Sequence, residues 1–278
     1  SVVPVAVPSV NGGTIGGVTN GSNVCADKLT NQTFTNVTSA SNGVTGFTNG
    51  GSFNYTWESS TDNMTFTPIA GANGSAYTPA ANLPVGTYYF RRRATDVCGN
   101  TNVSNVISVT IVPLPNGTIS PANQSVCPGS QAIFTLNFTI GTGPFGVQIF
   151  DGVTNHIRTN KANGDTVMVP IAVSPTTYTL TAILDNNGCA NSAVNSSAFA
   201  TISPAINVSG AIPTPVTCFG GNDGTITVSA SGGTPAFEYS IDNGVTYQVS
   251  NQFTGLVAGP YNVVVKDALG CTEAFSGN

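Results

Sequence analysis

Leu83-Pro-Val-Gly-Thr-Tyr88-Tyr-Phe-Arg-Arg-Arg-Ala-Thr-Asp96-Val-Cys98 reads as turn, tyrosine, strand, aspartate, turn, cysteine, and the chain repeats that order twice more. The second copy is Pro175-Thr-Thr-Tyr178-Thr-Leu-Thr-Ala-Ile-Leu-Asp185-Asn-Asn-Gly-Cys189. The third is Leu256-Val-Ala-Gly-Pro-Tyr261-Asn-Val-Val-Val-Lys-Asp267-Ala-Leu-Gly-Cys271. The tyrosine precedes the cysteine by 10, 11 and 10 residues. Its place at the strand's start predicts a ring packed where the strand enters a sheet, with the hydroxyl bonded to nearby backbone, as in a tyrosine corner.

Upstream of each copy lies a hairpin signal. Phe237, Tyr239 and Ile241 alternate, then Asp242-Asn243-Gly244, then Val245 and Tyr247. Asn-Gly between alternating runs favours a turn with positive φ at both central residues. Phe53, Tyr55 and Trp57 precede Asp62-Asn63 in the same way, which puts the only tryptophan on a core strand. Val147 and Ile149 precede Asp151-Gly152. Period-2 alternation bounded by Gly, Pro and Asn dominates, and no helical periodicity stands out.

Six cysteines frame these units: Cys25, Cys98, Cys127, Cys189, Cys218 and Cys271. Taken as consecutive pairs they close loops of 73, 62 and 53 residues, and both gaps between pairs are 29. Fifteen pairings are possible. The equal gaps favour Cys25 with Cys98, Cys127 with Cys189 and Cys218 with Cys271. Each such bridge would tie a sandwich end and add on the order of 4 kcal/mol by shortening the unfolded loop. The expected fold is all-β: three tandem immunoglobulin-like β-sandwich domains with one disulfide each. Their spans are 10–113, 114–204 and 205–278, after a terminal strand over 1–9.

The 278 residues carry 7% charge and a net charge of −5, which argues against nucleic acid or anionic membranes as partners. No run approaches the ~20 apolar residues of a membrane span, so no membrane insertion is expected. Ser1 to Val10 lacks the pattern of a signal peptide. Paired cysteines point outside the cytoplasm.

The first two modules continue past their second cysteine into Val106–Val112 and Ala198–Ile202, each followed by proline. The third has only Thr272 to Asn278 there. Its last strand is therefore expected to be missing, while Val2, Val3, Val5 and Val7, before Pro8, resemble that strand. Two readings fit: a fragment of a longer array, or a fibre subunit that donates Val2–Val7 to a neighbouring copy by strand addition.

Val216-Thr-Cys218-Phe-Gly-Gly-Asn-Asp-Gly224-Thr-Ile-Thr-Val228, Ser231-Gly-Gly-Thr-Pro235, Tyr239-Ser240 and Gly255-Leu256 through Cys271-Thr272 resemble the SprB-type repeat of Bacteroidetes gliding-motility adhesins. The resemblance covers Pro215 to Glu273. Ala236 and Pro260 depart from the usual proline and threonine. The first two modules look like the immunoglobulin-like repeats of the same large proteins. The resemblance implies a long protein of the bacterial cell surface, exported by the type 9 secretion system and used in adhesion or gliding. Asp165-Thr166-Val167 looks like a Bacteroidetes O-glycosylation acceptor, which makes Thr166 a glycosylation candidate.

No catalytic residue and no metal site are expected. The single histidine, His156, sits in a polar stretch and reads as an exposed loop or strand-edge residue. No Cys-x-x-Cys pair occurs. No cofactor is expected; calcium is the one candidate, through Asp223, Asp242 and Asp267 in turns of module three, although such aspartates more often bond their own turn. Arg91-Arg92-Arg93 reads as a solvated face with stems over apolar surface, the alternative being a contact with acidic surface glycans. Expected partners are neighbouring copies or repeats of the same protein. A third class, the accessory region of a secreted hydrolase, requires a catalytic domain elsewhere.

Overall fold

The computed structural model describes residues 13–28, 32–40 and 53–276. Val2, Val3, Val5 and Val7 lie outside these residues. Every regular element described is a strand, and the fold is the expected all-β tandem array of immunoglobulin-like sandwiches.

Module one holds β1 (Thr14–Gly16), β2 (Ser22–Cys25), β3 (Thr35–Thr38), β4 (Asn54–Ser60), β5 (Thr67–Pro68), β6 (Gly86–Thr95), β7 (Thr101–Val103) and β8 (Ile107–Val112). Its larger sheet runs β2-β8-β6-β4-β5, with β7 paired to β6, and β1 pairs with β3. Alternation sets the inner face: Ile107, Val109 and Ile111 of β8 are buried, as are Phe90, Arg92 and Ala94 of β6. Phe34 lies 4.8 Å from Phe90 and 5.8 Å from Trp57, centroid to centroid. Trp57 Nε1 donates to the Gly74 carbonyl at 2.9 Å, which satisfies the one polar atom that the buried indole brings inside.

Module two holds β9 (Asn116–Ser120), β10 (Asn123–Val126), β11 (Ala132–Ile140), β12 (Phe145–Phe150), β13 (Asn155–Lys161), β14 (Thr166–Val169), β15 (Thr176–Leu184), β16 (Ala190–Asn191) and β17 (Ser196–Ile202). One sheet is β14-β11-β9 and the other β10-β17-β15-β12-β13, with β16 on β15. Phe134 and Tyr178 meet at 5.1 Å among its buried residues.

Module three holds β18 (Ile206–Thr214), β19 (Gly224–Gly232), β20 (Glu238–Ser240), β21 (Gln252–Leu256), β22 (Val264–Lys266) and β23 (Thr272–Ala274), in sheets β18-β19-β21 and β20-β22-β23. In modules one and two the last strand, β8 or β17, lies between the tyrosine strand and the strand that leads to the first cysteine. In module three the described residues end at 276, just after β23.

The tyrosines do what their position predicts. Tyr88 donates to the Pro84 carbonyl at 3.0 Å, Tyr178 to that of Pro170 at 2.7 Å and Tyr261 to that of Val257 at 2.9 Å. The hairpin turns also take the expected backbone, with φ of 58° at Asn63, 63° at Asn243 and 83° at Gly244. The ladder in module three closes later than the alternation implies, at Tyr239 with Gln248. Asp242 causes this delay: its carboxylate accepts the amides of Val245 and Thr246 and holds a wider turn open.

The cysteine pairing differs from the sequence expectation. Cys25 bonds Cys189 and Cys127 bonds Cys271, while Cys98 and Cys218 are free and exposed. The arrangement of one disulfide per module is therefore corrected, and strand register gives the reason. Strand β2 runs parallel to β8, with Cys25 level with Val112, and Ile111 is level with Gly86 at the start of β6. Cys98 follows the far end of β6, whose ten residues span about 33 Å. A disulfide needs Cα atoms roughly 4.4–6.8 Å apart. In module two, Val126 is level with Ile202 and Ala200 with Thr176, so Cys127 and Cys189 also lie at opposite poles.

By contacts the chain divides into two compact units. One comprises Ser1–Asn116, Phe138–Gly146 and Ala182–Ser192; the other comprises Gly117–Asn137, Val147–Thr181 and Ala193–Asn278. The first unit holds the Cys25–Cys189 bond, and in it Asn191 Nδ2 donates to the Pro115 carbonyl at 3.0 Å. The second holds Cys127–Cys271, packed against Ile206, Ile226, Val228, Val263 and Val265.

Tyr178 is fully buried, so Tyr178→Phe should lose its hydrogen bond to Pro170 and leave that acceptor unmatched, costing about 1–2 kcal/mol. Urea unfolding of the variant against wild type measures this. Tyr88→Phe, whose bond is exposed, should cost under about 1 kcal/mol.

Candidate functional site

The first cysteine of each module is presented by one kind of turn. The amide of Lys28 donates to the Cys25 carbonyl at 2.9 Å, that of Ser130 to Cys127 at 3.0 Å and that of Gly221 to Cys218 at 2.9 Å. A second kind presents the other three. Asp185 Oδ1 accepts the amides of Asn187 and Cys189, Asp267 Oδ1 those of Leu269 and Cys271, and Asp96 Oδ1 those of Cys98 and Asn100. Gly188, Gly270 and Gly99 each sit at positive φ in this turn, where a Cβ would be strained.

Within that shared turn Cys98 stands two places early. Modules two and three read Asp-x-x-Gly-Cys, whereas module one reads Asp96-Val-Cys98-Gly-Asn100. Cys189 and Cys271 are buried at the fifth position; Cys98 is exposed at the third, and Asn100, which fills the fifth, is exposed as well. The aspartate-to-cysteine spacing was the signal that Cys98 is unlike its two counterparts.

A groove opens in module three. It encloses about 400 Å³ and is lined by Pro213, Val216, Ile226, Leu256, Tyr261 and Val263. Phe275, just beyond β23, also lines it.

The arginine run resolves into two roles. Arg91 and Arg93 each place Nε 2.6 Å from a Glu58 carboxylate oxygen, with the Glu58 side chain 2% exposed. Arg91 also stacks over Phe66 at 3.9 Å. Burial pushes the Glu58 carboxyl up; the hydrogen bonds and charges of Arg93 and Arg91 outweigh it and hold the group below the usual carboxylate range. Arg92 corrects the reading of a solvated run: it is fully buried on the core face, donates to the Ser75 carbonyl at 3.1 Å and lies over Tyr55 at 4.3 Å. Burial lowers its pKa. The alternation placed it on that face, but the sequence held no sign that a guanidinium would be accommodated there. Arg91 and Arg93 are thus both tied through Nε to Glu58.

His156 lies on the edge strand β13, half-buried, with Nε2 2.7 Å from Asp151 Oδ2. Asp151 is lowered to about 2, first by the Thr154 amide and then by His156. Asp242 is lowered to about 2, first by the Thr246 hydroxyl. The calcium candidates do not gather. Asp223 is bonded to Thr217, Asp242 to its own hairpin and Asp267 to the cysteine turn, and no group of three potential metal ligands occurs among the described residues. Thr166 is exposed, but it opens β14 instead of lying in a turn.

Residues 206–246 match the model of the SprB repeat, which overlaps the sequence resemblance of Pro215 to Glu273 over residues 215–246. Residues 11–113 match that of a domain of unknown function, DUF8696. No curated protein matches the chain. Among solved structures, three N-terminal domains of the bacteriophage RB49 highly immunogenic outer capsid protein cover 87% of this chain and are covered over 89%, at 14% identity and a TM-score of 0.40. Domains 3–5 of Drosophila OTK give 98% and 97%, 12% and 0.31. Fibronectin(III)-like modules of Clostridium thermocellum CbhA give 69% and 93%, 14% and 0.33. Likenesses this distant carry no argument about function. The fold, the disulfides and the repeat match define a class: an extracellular-type, immunoglobulin-like repeat region of the surface adhesive or structural kind.

Peptide mapping without reductant should recover the 25–189 and 127–271 crosslinks, with two titratable thiols per chain, at Cys98 and Cys218. A 25–98 crosslink would contradict the register described above. Glu58→Gln should destabilise module one by about 2 kcal/mol, between the value of an exposed ion pair and the 3–5 kcal/mol of a buried one, because Arg93 is partly solvated. Chemical denaturation reads that difference.

Proposed function

We propose that the chain is a non-enzymatic stalk or adhesive stretch of a large bacterial cell-surface protein of the gliding-adhesin kind, exported by the type 9 secretion system. The SprB repeat match carries this reading. The crossed disulfides support it physically. With both bonds closed, the covalent path from residue 1 to residue 278 passes through Cys25–Cys189 and back through Cys127–Cys271. Stretched fully, it spans about 330 Å, against about 970 Å for the reduced chain. Such a tether limits extension even when a module unfolds. The low charge suits an exposed surface that relies on Asn, Thr and Ser for hydration.

A second reading, a fibre subunit completed by strand donation, is favoured by the groove of module three. Its apolar lining matches the alternation of Val3, Val5 and Val7, and an open sheet edge invites pairing. Exposed Thr166 is the proposed glycan acceptor. Calcium has no assembled ligand set supporting it.

Deleting residues 1–278 in frame from the surface protein of the source bacterium should reduce cell attachment to glass several-fold and leave secreted hydrolase activity unchanged. Normal attachment with lost hydrolase activity would favour the accessory-region alternative.

A further inference from the structure

We infer that module one carries a binding site for a neutral sugar ring, in the pocket between the β4–β5 hairpin and the entry to β6. This rests on the adhesive reading above and names its ligand class. The pocket encloses about 480 Å³, within the roughly 300–1,000 Å³ usual for small-ligand sites. Tyr77, Tyr88 and Phe90 line it with aromatic surface, and Ser59, Thr61, Asp62, Thr65 and Thr67 line it with hydroxyls and a carboxylate. Aromatic surface beside groups that donate and accept hydrogen bonds fits a pyranose, which has apolar C–H faces and a rim of hydroxyls.

Both sides of the pocket are fixed by the protein itself, which limits the ordering that binding must pay for. Tyr77 lies 5.7 Å from Trp57 and 6.1 Å from Phe90, centroid to centroid, and exchanges backbone hydrogen bonds with Phe34 at 2.8 and 3.0 Å. Tyr88 is held by its bond to Pro84, and its oxygen can still accept. The hydroxyls of Tyr77 and Thr61 make no hydrogen bond among the described residues. Burial pushes the Tyr77 phenol up, so it stays a donor. On the polar side, Asp62 Oδ1 accepts the Ser60 hydroxyl at 2.7 Å and the amides of Met64 and Thr65 at 2.8 Å. These bonds, the Ser60 hydroxyl first, hold the Asp62 carboxyl well below its usual range. They all fall on Oδ1, and Oδ2 keeps acceptor capacity for a sugar hydroxyl.

Charge selects a neutral ligand. Asp62 is the one charged side chain lining the pocket, so an acidic sugar would meet repulsion with no cation to offset it. Module three supplies an internal contrast. Leu256, Tyr261 and Val263 stand at the repeat positions of Leu83, Tyr88 and Phe90 and line its groove, but Ser240, Asp242 and Thr246 of its hairpin do not. There the Thr246 hydroxyl is spent on Asp242 Oδ2 at 2.6 Å. Of the two modules, module one alone brings the polar hairpin onto the aromatic surface.

The test titrates the 278-residue chain with oligosaccharides of glucose, mannose, galactose and xylose. Trp57, the only tryptophan, neighbours Tyr77 and reports binding through its emission; calorimetry reads the same titrations. Wild type should respond saturably to at least one of these neutral series and not to oligogalacturonate. Tyr77→Phe should weaken that binding about fivefold, the value of one hydrogen bond. Its urea midpoint should stay at the wild-type value, because the hydroxyl has no bond within the described protein to lose. Asp62→Asn retains an oxygen for the turn amides and should weaken binding about tenfold by removing the charged acceptor. No saturable response to any neutral series, tighter binding of oligogalacturonate or of a proline-rich peptide, or full-strength binding by both variants would each overturn the inference. These outcomes leave the surface-protein reading standing. That reading falls with the deletion experiment above, where unchanged attachment would remove the adhesive role even if the purified chain bound sugar.

Discussion

In each complete sandwich the strand leading to the first cysteine runs parallel to the last strand, and the last strand runs antiparallel to the one leading to the second cysteine. The two cysteines of a module are thereby held at opposite poles, about a full strand length apart. Disulfide geometry tolerates only a few ångströms of mismatch, so bonds form across a junction: Cys25 reaches Cys189, and Cys127 reaches Cys271. The extent of the compact units follows. The segments 138–146 and 182–192 of module two fall with module one.

The rest of the architecture serves this end-to-end stapling. Small sandwiches bury a modest share of their surface, and each turn or strand entry is therefore secured locally. Tyrosines bond the backbone at Pro84, Pro170 and Val257. Aspartates hold the cysteine turns and the hairpin tips through short bonds to amides. Much of the chain's scarce charge is committed to structure. Glu58 binds Arg91 and Arg93, and Arg92 lies inside with Tyr55 against it.

Local devices were legible because they depend on neighbours in sequence. The tyrosine corner, the positive φ at Asn63, Asn243 and Gly244, and the buried alternation of β8 all follow from a few adjacent residues. Arg92 was not legible: its position on the inner face follows from strand alternation, but its tolerance there depends on Ser75 and Tyr55, both far along the chain. The placement of the three turn aspartates was hidden for a related reason. Asp223, Asp242 and Asp267 share a module in sequence, yet each is drawn into a different turn.

What the amino-acid sequence determined alone is the kind of module, its repetition and the turns that hold each cysteine. All of these rest on period-2 burial and short-range bonding. Only the tertiary structure decided which cysteines meet, because the equal spacing of 29 residues carries no direction, whereas strand polarity does. Parallel and antiparallel neighbours send the two thiols of one module to opposite ends, and that vector exists only once the sheet has formed.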